Sequence, residues 1–110
     1  MEETALAVDI GTSGCRAILA SFDGNVRSFA ETSYHFEFYE KTGAVEQNPD
    51  LIVDSIIKVI NECLSNVDIP VNYVVFSSLL HSLVLVDKRV RQLHRSQFGQ
   101  IQGLSLSAIK

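Results

Sequence analysis

The sequence predicts an α/β domain built on a mixed sheet: an antiparallel three-stranded meander, then a helix, then further strands. Two observations carry that prediction. Short apolar segments joined by tight, Gly-containing turns occupy residues 4–36, the pattern of successive hairpins. Beyond them, a well-punctuated segment with helical apolar spacing leads into another strand of the buried type.

Each element can be justified in order. Thr4 to Ile10 (T-A-L-A-V-D-I) is a nearly continuous apolar run, as a buried strand requires, and Gly11-Thr12-Ser13-Gly14 is a tight turn. Cys15 to Phe22 resumes the strand pattern. Asp23-Gly24 is a strong hairpin signal, and Val26 to Phe36 forms the third strand. Asn48 is a good N-cap, Pro49 suits the first helical position, and Asp50 complements the helix dipole. Ile52, Ile56, Val59, Ile60, Cys63 and Val67 then recur at helical spacing, so the helix over about 50–66 buries one face. Ile69-Pro70 ends it. Val71 to Phe76 is the fourth strand, reached through a helical crossover and expected beside the first, and Leu83 to Val86 is a fifth.

Bulk properties narrow the functional class. A chain of 110 residues, 46% hydrophobic and 20% charged, has the composition of one soluble globular domain able to bury a core without metals or disulfides. Cys15 and Cys63 lie in apolar sequence without metal-ligand spacing, so both are expected to pack as small hydrophobes in a reducing compartment. A net charge of −4 gives no electrostatic reason to expect nucleic acid or an anionic membrane as partner. Glu2 and Glu3 stand where a secretory signal would be basic, and polar residues interrupt the apolar stretch Ile69 to Val86. A cytoplasmic location is the expectation.

Charge is distributed unevenly. Residues 1–87 hold all thirteen acids against four Lys and Arg, a balance of −9, whereas Lys88, Arg89, Arg91, Arg95 and Lys110 make residues 88–110 +5. Two readings fit this tail: an ordinary polar surface segment, or a divergent end foreign to the fold, as after truncation or a frame shift.

The chemistry concentrates in Asp9-Ile10-Gly11-Thr12-Ser13-Gly14. Two glycines allow a tight turn and close approach of a ligand, and successive backbone amides there can form an anion-binding nest. Thr12 and Ser13 add hydroxyl donors for phosphate oxygens, and Arg16 can add charge-assisted contacts. Asp9, ending a buried strand, is placed to hold a hydrated Mg²⁺ beside those phosphates. The segment is neither G-x-x-x-x-G-K-[ST] nor G-x-G-x-x-G, and it leads into a strand instead of a helix. Read alone, it also fits a hairpin turn with incidental polar residues.

Three segments together resemble the FGGY carbohydrate kinases of the actin/Hsp70/sugar-kinase superfamily. The first is A-V-D-I-G-T-S-G-C-R-A-I-L (Ala7 to Leu19) followed by Asp23-Gly24. The second, Gly43-Ala44-Val45-Glu46-Gln47-Asn48-Pro49, is similar to the family's G-x-V-E-x-[DN]-P before its first long helix. The third, Ser77-Ser78-Leu79-Leu80-His81-Ser82-Leu83 with Val84-Leu85-Val86-Asp87, is similar to S-x-x-M-H-[GS]-L-x-x-x-D. The likeness covers about residues 5–87 and implies a ribonuclease H-like (actin-like ATPase) fold, present as a partial domain.

The resemblance also implies roles. Asp9 would organise Mg²⁺ through water, and Gly11, Thr12, Ser13 and Arg16 would face the phosphoryl group of ATP. His81, with Leu80 and Ser82, would line the pocket for a sugar or sugar acid; read without the motif, His81 is as well a core or turn residue. Glu46 is expected to be a solvated loop acid, and His35 and His94 match no motif. Gly14 stands where the family more often has Ser or Asn, and Leu80 replaces the more usual Met. The chain contains no Trp and so no W-x-D-x-R segment, and the family's catalytic-base Asp and adenosine-holding second domain lie beyond the matched region. Residues 1–87 are thus expected to be the amino-terminal part of the first kinase domain, inactive alone. His-Ser-Leu leans toward gluconate kinases over xylulose or glycerol kinases. The alternatives are a folded, non-catalytic remnant that self-associates through an exposed sheet edge, or an N-acetyl-sugar or acetate kinase-like enzyme. The His81 segment argues against the last.

Overall fold

A computed structural model describes residues 2–79 together with 82, 84, 89, 96 and 97. Three strands form the meander: β1 (Thr4–Ile10), β2 (Gly14–Ser21) and β3 (Val26–Ser33). The β1–β2 ladder is antiparallel and runs from Thr4 opposite Ser21 to Ile10 opposite Cys15, with Asp9 opposite Arg16. β3 continues it antiparallel to β2, with an irregularity at Leu19 and Ala20 that leaves Arg27 unmatched in the register.

A second, unexpected hairpin follows, β4 (Glu37–Tyr39) with β5 (Ala44–Gln47), closed at Gly43 with φ +70°. Its strands, three and four residues long, are too short to show an alternating pattern in the sequence. The helix α1 (Pro49–Ser65) starts as expected: the Asn48 side chain accepts the Asp50 N–H at 3.0 Å, and Pro49 opens the first turn. It buries Ile52, Val59 and Cys63.

After α1 the chain returns to the sheet as a strand over Tyr73–Ser77, parallel to β1, giving the sheet order β3, β2, β1, Tyr73–Ser77. The crossover expectation holds, with the strand starting two residues later than expected. Asn72 explains the offset, because it clamps the start of β1 instead of joining the ladder. Its Oδ1 accepts the Thr4 N–H at 2.9 Å and its own N–H donates to the Thr4 carbonyl at 3.1 Å. Ser96–Gln97 adds antiparallel to β5, with Gln47 opposite Ser96. The strand expected over 83–86 falls, apart from Val84, outside the described residues.

The core lies between one face of the meander and α1. Leu6, Val8, Cys15, Ala17 and Leu19 from the sheet meet Ile52, Val59 and Cys63 from the helix. Both cysteines are free and buried, packing as small apolar residues. Full burial of side chains such as Leu19 and Val59 stabilises the layer by about 1.5–3 kcal/mol each. Among the described residues, no helix is long and apolar enough to cross a membrane.

Candidate functional site

The loop between β1 and β2 is closed by one backbone bond, from the Gly11 N–H to the Gly14 carbonyl at 2.9 Å. Neither glycine takes a left-handed φ; Gly24 and Gly43 do. What Gly11 and Gly14 supply is space. A Cβ on Gly14 would lie 2.4 Å from the Thr32 carbonyl oxygen, so this glycine, expected to ease the approach of a ligand, makes room for β3. A Cβ on Gly11 would crowd the Gly14 carbonyl at 3.1 Å while only touching Arg16 Nη2 at 3.5 Å, so Gly11 eases the closure of the loop on itself.

Arg16 and Asp9 face each other across the ladder. The guanidinium donates to Asp9 Oδ2 from Nη2 at 2.9 Å and from Nε at 3.2 Å. Their side chains are 40% and 45% exposed, so the pair stands at the surface with its charges accessible. Both bonds converge on Oδ2, and no described residue bonds Oδ1. No group of three or more His, Cys, Asp and Glu able to hold a metal occurs among the described residues. A cation here would therefore rest on one carboxylate, water and the oxygens of a ligand, the usual arrangement for Mg²⁺ beside phosphates.

The loop carbonyls are gripped from behind. The Tyr34 hydroxyl donates to the Gly11 carbonyl, and the Tyr34 N–H donates to the Ser13 carbonyl at 3.0 Å. Gln47 Nε2 donates to the Thr12 carbonyl at 3.2 Å and to the His35 carbonyl at 3.2 Å. Tyr34 and Gln47 are both buried. A trans peptide directs its C=O and N–H to opposite sides, and the described chain has no cis peptide. Anchoring the Gly11 and Thr12 carbonyls inward thus turns the N–H groups of Thr12 and Ser13 outward. Both residues are exposed, and no described group accepts from either N–H. Burial pushes the Tyr34 phenol up to about 12 and raises the neighbouring Cys15 thiol. The phenol therefore remains a donor at neutral pH.

Asp9, Gly11, Thr12, Ser13 and Arg16 are thus brought together at one end of the sheet. Leu80 and His81 lie outside the described residues, and Ser82 is half-buried in a stretch without helix or strand. Ser77 closes its strand opposite Asp9 in the parallel ladder. At Ser77 the described chain leaves the sheet at the carboxyl ends of β1 and this parallel strand, where α/β sheets take ligands. Glu46 is half-buried in β5 instead of free in a loop, and exposed His35 contributes its carbonyl. Sequence reasoning missed Tyr34 and Gln47. Gln47 stood inside a quoted motif, but no spacing rule told that its amide reaches Thr12, and Tyr34 looked like one more strand residue.

Comparison with known proteins adds independent findings. Residues 4–100 match the model of the FGGY family of carbohydrate kinases, N-terminal domain. A xylulose kinase of Bacillus subtilis is 36% identical over 87 residues, covering 76% of this chain and 17% of the relative. A glycerol kinase of Petrotoga mobilis is 37% identical over 65 residues, covering 59% of this chain and 13% of the relative. The chain therefore spans less than a fifth of the length of these relatives. The crystal structure of gluconate kinase from Lactobacillus acidophilus superposes with a TM-score of 0.79 at 23% identity, over 88% of this chain and 20% of that one, which shows a shared fold.

Proposed function

The chain belongs to the FGGY family of carbohydrate kinases, and from that premise we propose that its β1–β2 loop receives the phosphates of ATP in an ATP-dependent phosphorylation of a sugar or sugar acid. The observation that carries the reading is the pair of outward N–H groups at Thr12 and Ser13, with two hydroxyls, beside the Asp9–Arg16 ion pair. Successive amides form a nest for an anion. Thr12 and Ser13 hold phosphate oxygens, Arg16 adds positive charge, and Asp9 binds Mg²⁺ through water. Mg²⁺ supplies charge neutralisation for the phosphoryl group. Leu80, His81 and Ser82 line the sugar side. The His81-Ser82-Leu83 sequence favours gluconate over xylulose or glycerol, although matched relatives include kinases of the latter two. Residues 1–87 constitute the amino-terminal part of the first kinase domain, with 88–110 a divergent basic tail, in a cytoplasmic enzyme without nucleic-acid or membrane partners.

For these 110 residues taken alone, the proposal is weak binding without turnover. Positioning of both reactants is worth roughly 7–11 kcal/mol of barrier, and the proposed site holds only one of them. Titration of the chain with MgATP and with metal-free phosphate tests this, together with assays on gluconate, xylulose, glycerol and ribulose. Asp9→Ala should abolish the gain from Mg²⁺ but not weaken binding of metal-free phosphate, because it releases Arg16 from its carboxylate. Phosphorylation of any of the four sugars, lost in Asp9→Ala, would show a complete enzyme instead.

One observation favours a second reading, an interaction module or remnant that pairs with a second copy. The strand Tyr73–Ser77 is the outer strand of the described sheet, and Tyr73, Val74, Val75 and Phe76 are each at least half exposed although both of its faces are apolar. Such an edge invites strand addition. Concentration-dependent dimerisation lost in Val75→Lys would support it, and a monomer at all concentrations would exclude it.

A further inference from the structure

We infer that Tyr34 and Gln47 are positioning residues that set the phosphate loop, an inference resting on the reading that this loop takes phosphate. Among the described residues, three consecutive carbonyls, those of Gly11, Thr12 and Ser13, are held by donors from these two residues. Tyr34 straddles the loop, taking the first carbonyl with its hydroxyl and the third with its N–H. Gln47 takes the middle one with its amide, and the same nitrogen ties the loop to the His35 carbonyl next to Tyr34.

The consequence follows from peptide geometry. A two-residue exposed turn without left-handed glycines has no local device that fixes which way its peptide planes face. Flipping the Gly11–Thr12 plane would remove the Tyr34 hydroxyl bond, and flipping Thr12–Ser13 would remove the Gln47 bond. Each flip would also strand a buried donor away from water. The two residues therefore select the one arrangement in which both N–H groups converge outward, before any anion arrives. An anion then meets a nest already formed, and the ordering does not have to be offset from binding.

Neither residue touches the anion in this scheme, so the test must separate positioning from general stability. Backbone order parameters of the full 110-residue chain provide that. In the wild type, Thr12 and Ser13 should sit near the rigid value of about 0.85 despite their exposure, and in Tyr34→Phe they should fall toward about 0.6. The phenyl ring keeps the packing, so values elsewhere in β2 and β3 should not change. Titration with inorganic phosphate, read at the same two amides, should show affinity weakened roughly two- to tenfold. Gln47→Met, which keeps volume and removes the donor, should loosen Thr12 and Ser13 in the same sense and serves if Tyr34→Phe folds poorly. Wild-type order and wild-type phosphate midpoints in both variants would overturn the inference. A rigid wild-type loop whose amides ignore phosphate and MgATP would overturn the phosphate reading instead, while loosening in the variants would still uphold the clamp.

Discussion

The turn after β2 and the loop after β1 join strands of the same meander, but they are held in different ways. The turn at 21–25 is built mainly from its own residues, with one bond leaving it, from the Phe22 N–H to the Glu3 carbonyl at 3.3 Å. Gly24 adopts φ +93°, its N–H reaches the Ser21 carbonyl at 3.0 Å, and the Asp23 carboxylate accepts from Ser21 Oγ, the Asn25 N–H and Asn25 Nδ2. The loop at 11–14 has one local bond and is otherwise fixed by Tyr34 and Gln47, 23 and 35 residues further along the chain from the carbonyls their side chains hold. A locally built turn spends its polar groups on itself. A turn braced from a distance keeps its N–H groups and hydroxyls available, which is what a binding loop needs.

The largest effect should come from Gly14→Ala. Its Cβ would meet backbone, the Thr32 carbonyl at 2.4 Å and Ser33 Cα at 3.2 Å, and neither can give way without moving β3. Overpacking of this kind costs about 1–3 kcal/mol or more. Thermal or urea unfolding should show it. The comparison sharpens because Tyr34 directly follows β3: the substitution should loosen Thr12 and Ser13 as well as destabilise the sheet. A variant as stable as the wild type would mean that β3 tolerates displacement and that Gly14 has another role.

An intermediate effect is expected from alkali, and only at the braced loop. A phenol raised from about 10 to about 12 on folding adds stability that is fully present below about pH 10 and is lost as pH rises toward about 12. The phenolate cannot donate to the Gly11 carbonyl, so high pH should mimic Tyr34→Phe. Tyrosinate absorbance followed beside the Thr12 and Ser13 resonances checks this. A loop that loosens at the same pH in Tyr34→Phe would disconnect the phenol from it.

These contrasts explain what could be read beforehand. The meander, the capped helix and the parallel return strand were legible because their signals are local: apolar runs, Asp23-Gly24, Asn48-Pro49. Asp9, Gly11, Thr12, Ser13 and Arg16 were legible as a cluster, since residues within seven positions of one another across a tight hairpin turn must lie close. That Arg16 pairs with Asp9, and that Gly14 serves β3, depends on register and so was not. The β4–β5 hairpin escaped notice because exposed Glu37, Phe38 and Tyr39 carry no burial pattern. Tyr34 and Gln47 escaped because a side chain's reach across 23 or 35 residues leaves no periodic trace.

A smaller effect belongs to Gly24→Ala. Nothing lies within 4 Å of the added Cβ, so only the left-handed φ opposes it, at a cost of about 1 kcal/mol. Phosphate binding at the other turn should be untouched. A change in the Thr12 or Ser13 amides on this substitution would show that the two turns are coupled through β2.

The smallest effect should be that of Asp23→Asn, and it isolates how a self-contained turn depends on pH. The hydrogen bond from Ser21 is the leading cause that holds the Asp23 carboxyl below its ordinary value of 3.8, with the Asn25 N–H next. A depressed carboxyl contributes stability that is present above its unfolded value and lost as pH falls through the folded one. The wild type should therefore be slightly more stable than Asp23→Asn near neutrality, and the difference should shrink as pH falls through the lowered value of the folded carboxyl. Asparagine preserves the shape and the acceptor for Ser21 and the Asn25 N–H, so what disappears is the charge and the bond from Asn25 Nδ2. Glu2, likewise held low by its bond from Arg27, also senses the Asp23 charge, so the comparison is made with Glu2→Gln in both chains. Unfolding midpoints of the two chains across the acid range supply the measurement. A difference that persists unchanged at low pH would assign it to turn geometry alone and remove the carboxylate from the account of this turn.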